Sequence, residues 1–224
     1  MTRPLLLGHR GARSSRHIPE NTLASFELCL QHGCDGFEFD VRRSANGLPV
    51  VCHDPVIAGL EIERTPAAQL GLPTLEDVLR QFSSCAFLDI ELKVTGLEKQ
   101  LIAALAEYPP AKGYVVSSFL PEVLRAVHDL DANIPLGFLC EMEGRAPRRA
   151  DRESGPLPPL GLPVEWLIPH LKLADQELTH QVHATGRKIM VWTVNRADEM
   201  KRLAAWGADA IISDDTELLV RSVR

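Results

Sequence analysis

Short apolar runs alternate with helix-period segments along almost the whole chain, and this alternation constrains the fold more than any other feature. The strand candidates are LLLGH (5–9), GFEFDV (36–41), VVCH (50–53), FLDIEL (87–92), YVVSSF (114–119), PLGFL (135–139), EWLIP (165–169), IMVWTV (189–194) and AIIS (210–213). Between them, residues 21–32, 74–81, 96–106, 121–130, 174–185 and 197–206 carry amphipathic helix patterns. Strands in this rhythm form a parallel sheet with helices outside. One candidate does not fit. The turn SANG, residues 44–47, is far shorter than the dozen or so residues a parallel crossover needs, so LPVVCH returns antiparallel to FEFDVRR as a hairpin turned at Asn46-Gly47. Eight parallel strands remain, the number that closes a (β/α)8 TIM barrel, and 224 residues is compact beside the roughly 250 typical of that fold.

The whole of 1–224 reads as a single domain. Two stretches break the rhythm. Residues 54–73 show no clear element, and residues 141–163 are rich in Pro, Gly and charge where a barrel helix is expected. The second reads as a long loop rather than a domain linker, because the barrel rhythm resumes after it.

Charge and composition exclude several function classes. The net charge of −6 has no long blocks, which disfavours a nucleic-acid partner. No apolar run approaches the roughly 18 residues of a membrane span, and no N-terminal signal is visible, so stable membrane insertion is not expected. The five cysteines are odd in number and form no Cys-x-x-Cys pair, which suits reduced thiols in the cytoplasm and no zinc site. Gly-x-Gly-x-x-Gly, P-loop, Gly-x-Ser-x-Gly and His-Glu-x-x-His motifs are all missing. The sequence carries no signal of oligomeric state.

The polar residues of the strands carry the chemistry. Side chains alternate along a strand, so in GFEFDV Glu38 and Asp40 share the barrel face while Phe37, Phe39 and Val41 share the other. In FLDIEL, Asp89, Glu91 and Lys93 point one way. Buried carboxylates need neutralising, by Arg42 or Arg43 or by a cation. Carboxylates from two strands suit a hard divalent ion such as Mg²⁺ or Ca²⁺ better than zinc. Glu38, Asp40 and Glu91 lie toward the C-terminal strand ends, where barrel active sites sit, whereas Asp89 is lower and reads as supporting. Lys93 would add a positive charge suited to an anionic substrate. His9 closes the first strand and His53 the return arm of the hairpin, which folds His53 back toward Asp40; both are poised for proton transfer. His17, His32, His128, His180 and His183 read as solvated, and His170 as a rim residue. Trp192 reads either as a core residue or as a wall of the barrel mouth. Asn21 or Thr22 reads as one helix cap, and Asp214 or Asp215 as another.

The segments GHRG, PENTLASF, GFEFDVRRSANGLPVVCHD, PTLEDVL, LDIELK, VSSF and VWTVN, in that order from residue 7 to about 215, resemble the motifs of the glycerophosphodiester phosphodiesterases. The resemblance implies a (β/α)8 barrel. It implies Glu38, Asp40 and Glu91 as ligands of one divalent metal ion, Mg²⁺ or Ca²⁺. It further implies His9 and His53 as the acid/base pair, and Arg10 and Lys93 as stabilisers of phosphate charge. The expected reaction is hydrolysis of a small-molecule phosphodiester to an alcohol and glycerol 3-phosphate. Alternatives on the same barrel are a lysophospholipase D, a cyclising phosphodiester lyase and an inactive phosphate-binding barrel. Many family members carry a longer insertion after His-Asp; here residues 55–72 fill that place, implying a short cap and an open pocket that admits larger or lipid-bearing diesters.

Overall fold

The computed structural model describes residues 3–141 and 161–224. Its strands are β1 (Leu5–His9), β2 (Gly36–Arg43), β3 (Pro49–Val51), β4 (Val56–Ile57), β5 (Leu60–Glu61), β6 (Phe87–Leu92), β7 (Tyr114–Ser118), β8 (Leu136–Cys140), β9 (Trp166–Pro169), β10 (Lys188–Val191) and β11 (Ala210–Ser213). The helices are α1 (Leu23–Gln31), α2 (Ala67–Leu70), α3 (Leu75–Phe82), α4 (Glu98–Glu107), α5 (Pro121–Leu130), α6 (Gln176–Ala184), α7 (Ala197–Trp206) and α8 (Thr216–Val223).

β1 pairs in parallel with β2 on one side and with β11 on the other, which closes the ring β1-β2-β6-β7-β8-β9-β10-β11. This is the expected (β/α)8 TIM barrel, with β3 returning antiparallel beside β2 through the pairs Val41↔Val51 and Arg43↔Pro49. The alternation of side chains separates two apolar layers. Phe37 and Phe39 face outward and pack with Phe26 of α1 and Phe82 of α3, the Phe26 and Phe37 rings stacking at 4.2 Å. Inside the barrel, Leu7, Phe87, Val115, Trp166, Ile168 and Met190 fill the floor. Gly36 permits the tightest strand approach: a Cβ there would lie 1.8 Å from the Phe87 carbonyl oxygen.

The elements depart from the sequence pattern in places. β3 ends at Val51 and β10 at Val191, so His53 and Trp192 follow their strands rather than ending them. Residues 54–73 are not featureless: they hold the β4–β5 hairpin, one 3-10 turn at Ile62–Arg64 and α2. Ile62 of this excursion packs with Val50 and Cys52, which fixes the cap to the hairpin beneath it. The loop expected over 141–163 lies, for residues 142–160, outside the described residues. α8 adds a helix beyond the six expected. Among the described residues no helix is long and apolar enough to cross a membrane.

Candidate active site

Strand register assembles the site in layers. His9 pairs with Glu38, Glu38 with Asp89, and Asp40 with Glu91. Ligand oxygens of Glu38, Asp40 and Glu91 all lie within 4.8 Å of one another, and all three residues are buried. A cavity of about 300 Å³ opens above them, lined by His9, Arg10, Glu38, His53, Glu91 and Lys93 on one side. Phe119, Leu139, Glu141, Trp192 and Ile212 complete its wall. Asp40 lies beneath this lining. A wider concavity of about 700 Å³ runs beside it along residues 13–20, but it contains none of the predicted site residues, so the smaller cavity is where the chemistry converges.

The cations hold the carboxylates in place. Arg10 has a left-handed backbone, φ 53°, and its amide donates to Glu38 Oε2 at 2.9 Å. Its guanidinium reaches Glu20 at 2.7 Å and Asp40 at 3.2 Å. Lys93 Nζ lies 2.6 Å from Glu91 and 3.4 Å from Asp40. Neither Arg42 nor Arg43 neutralises the cluster: Arg42 donates instead to the His53 carbonyl at 2.6 Å.

Burial sets the protonation of this cluster. It pushes Glu38 well above the usual carboxylate range, with the charges of Asp40 and Glu91 adding. It also raises Glu91 to about 8, helped by Asp40 and opposed by Lys93. Asp89, fully buried and accepting from Ser117 at 2.6 Å, rises to about 7. Asp40 goes the other way: burial opposes its charge, but Lys93, Arg10 and the Asn21 hydrogen bond outweigh it and hold the carboxyl low. Glu38 Oε1 and Asp40 Oδ1 are buried without a hydrogen-bond donor. Carboxyl oxygens converging from three residues, two of which have an oxygen without a hydrogen-bond donor, fit a hard divalent cation.

The two histidines differ in setting. His9 is 8% exposed, and its Nδ1 lies 2.7 Å from Asp214 Oδ1, while its Nε2 faces Glu38 at 3.9 Å. His53 is half-buried, with Nδ1 2.7 Å from Asp54. Burial lowers its pKa, with Arg10 and Lys93 adding, against the raising pull of Asp40 and Asp54. The hairpin brings it there because the Cys52 amide donates to the Asp40 carbonyl at 3.0 Å, one step past the end of β3. Trp192 does line the cavity; its Nε1–H donates to the Ile168 carbonyl at 3.0 Å.

Two contributors, Asn21 and Asp214, are read from the sequence only as candidate helix caps. Asn21, left-handed at φ 56° and buried, donates to Asp40 at 2.8 Å, while Thr22 caps α1 by accepting from the Ser25 amide. Asp215 caps α8, which leaves Asp214 free to grip His9, supported by Asn195 at 2.6 Å and Arg13 at 3.2 Å. Burial alone would raise Asp214, yet the His9 hydrogen bond and these neighbours hold its carboxyl far below the usual range. Of the remaining histidines, His32 and His183 are not simply solvated: they bond Thr216 at 2.7 Å and Asp209 at 2.8 Å.

The profile of the glycerophosphoryl diester phosphodiesterase family matches residues 9–80 and 61–218. The chain belongs to that family. Its reaction class is therefore the hydrolysis of glycerophosphodiesters. A curated relative, a glycerophosphodiester phosphodiesterase from Caldanaerobacter subterraneus subsp. tengcongensis, is 30% identical and aligns over 98% of each chain. A phosphodiesterase from Oleispira antarctica, solved in complex with the product sn-glycerol-3-phosphate, is 27% identical. It superposes with a TM-score of 0.80 over 99% of this chain and 97% of its own. The family's enzyme from Thermotoga maritima, 24% identical with a TM-score of 0.80 over 99% of each chain, shares the fold.

Proposed function

We propose that the chain is a metal-dependent glycerophosphodiesterase in which His9 and His53 form the acid/base pair and Arg10 and Lys93 meet the phosphate charge. Glu38, Asp40 and Glu91 are then the ligands of one divalent ion, Mg²⁺ or Ca²⁺, and the products are an alcohol and glycerol 3-phosphate. The observation that carries this reading is the convergence of the three carboxylates within 4.8 Å directly under a cavity that both histidines line. The glycerol 3-phosphate held by the Oleispira antarctica relative supports the product.

A divalent ion bound there would polarise the phosphoryl oxygens. Arg10 and Lys93 orient the diester and offset the charge that builds on phosphorus-bound oxygen. One imidazole takes a proton from the nucleophile, which is water or a substrate hydroxyl whose cyclic phosphate water then opens, and the other gives one to the leaving alkoxide, so that one water is consumed overall. Asp214 holds His9 in one orientation through Nδ1, leaving Nε2 toward the cavity. A single-domain, cytoplasmic chain acting on small diesters completes the reading.

Removing metal tests it. Chelation is expected to abolish release of glycerol 3-phosphate from glycerophosphocholine, and Mg²⁺ or Ca²⁺ to restore it. Saturation at about 100 Kd should stabilise the fold by about 2.7 kcal/mol, read as a rise in Tm that Glu91→Gln suppresses. Full turnover in the presence of excess chelator would remove the metal from the mechanism.

One observation favours a second substrate group. Val56, Ile57 and Leu60, on the β4–β5 hairpin just beyond His53, are 48%, 36% and 40% exposed. This bare apolar tip at the catalytic face would accept an acyl chain, as in lysophospholipids. Such substrates are expected to be cleaved, with KM rising at least about tenfold when Val56 and Leu60 are both changed to Ser. An unaltered KM would return the reading to acyl-free diesters.

A further inference from the structure

The segment VWTVN, residues 191–195, sends Trp192 to the cavity wall and leaves its last residue without a role. Asn195 does not line the catalytic cavity. It borders the wider concavity along residues 13–20, outside the space where a diester would sit over the carboxylates. Yet its side chain is fully engaged. Oδ1 accepts from the Asp214 amide at 3.0 Å and from the Ser213 hydroxyl at 3.1 Å, and Nδ2 donates to Asp214 Oδ2 at 2.6 Å. A backbone N–H only donates and an ionised carboxylate only accepts, so these contacts demand an acceptor at one end of the side chain and a donor at the other. An amide of this length supplies both.

The same contacts fix Asp214. One planar group holds its backbone amide and one of its carboxylate oxygens, which leaves the carboxylate little freedom to turn. The other oxygen, Oδ1, is 2.7 Å from His9 Nδ1. Arg13 also reaches Oδ1, at 3.2 Å, but its side chain is 40% exposed and shared with Glu20, and exposed ion pairs contribute little. Asn195 is itself anchored from both sides. The amide of buried Val194 donates to the carbonyl of buried Ile212 at 2.9 Å, and α7 begins two residues further on, at Ala197.

We infer that Asn195 is a positioning residue of the reaction, aiming the His9 imidazole through Asp214. This rests on the proposed role of His9 in proton transfer and adds the group that orients it. Asn195 follows β10, Asp214 follows β11 and His9 ends β1, so three neighbouring strands of the ring supply one link each. Misplacement of a reacting group by about 1 Å costs up to about 10²-fold in rate, which is the scale on which such aiming matters.

The test measures kcat and KM on glycerophosphocholine with Mg²⁺ for Asn195→Ala and Asn195→Asp in the full chain, each alone and combined with His9→Ala. Asn195→Ala is expected to lower kcat by about tenfold with KM unchanged within about twofold. Asn195→Asp keeps the acceptor for Ser213 and the Asp214 amide but sets a like charge against Asp214 Oδ2, so it should lose about threefold more than Asn195→Ala. Combined with His9→Ala, each should cost less than about twofold, because no imidazole remains to be aimed. A role confined to tethering the loop after β11 predicts otherwise: Asn195→Asp near wild type, Asn195→Ala reduced in Tm, and the same losses with or without His9. Any of these results overturns the inference and leaves the phosphodiesterase standing. If His9→Ala alone keeps wild-type kcat, the acid/base role of His9 falls, and the positioning role with it.

Discussion

His9→Ala is expected to lower kcat on glycerophosphocholine by about 10³-fold while shifting Tm by only a few degrees. The imidazole touches the cavity, faces Glu38 at 3.9 Å and has its other nitrogen committed to Asp214, so the variant removes an oriented group of the kind that proton transfer needs. Asp214→Asn leaves the imidazole in place but removes the charge that orients it, and should cost about 10²-fold in kcat with a small change in KM. Initial rates of glycerol 3-phosphate release for the two variants separate the roles. If His9→Ala keeps more than a tenth of wild-type kcat, His9 is not one of the acid/base pair.

The second large effect is on stability, and its sign is unusual for carboxylates. Asp89, near 7, and Glu91, near 8, hold their protons in the fold at pH values where the unfolded chain, titrating near 4, has released them. Below about pH 4 both states are protonated and these groups contribute no difference. As pH rises toward 8 the unfolded state binds fewer protons than the folded one, so the metal-free protein loses stability, on the order of a few kcal/mol in all. The Tm in chelator should therefore fall by roughly 10 °C between pH 5 and pH 8. A divalent ion displaces those protons, and in its presence the slope should flatten or reverse. A metal-free Tm that rises over the same interval would show that the carboxylates are ionised in the fold.

The barrel was legible because its code is local. Each strand alternates or runs apolar, each crossover carries a helical period, and the SANG turn by itself identifies the antiparallel arm. The same alternation placed Glu38, Asp40 and Glu91 on the inner face, where the structure has them. The less legible parts depend on contacts between distant segments. Asp214 is 205 residues from His9, and within ISDD nothing local decides which aspartate caps the helix and which turns inward. Of Asn21 and Thr22, the two cap candidates for α1, Thr22 takes the role, and the function of Asn21 depends on Asp40 arriving from β2. The β4–β5 hairpin uses strands of two residues, too short for any period to register.

The contact between His9 and Asp214 joins the first strand of the barrel to the loop after the last. During synthesis the histidine emerges some two hundred residues before its partner. The carboxylate cluster of β2 and β6 is therefore made before the His9 imidazole has the partner that orients it. The pairing of β11 with β1 is what brings Asp214 to His9, so closing the ring and orienting this imidazole are one event.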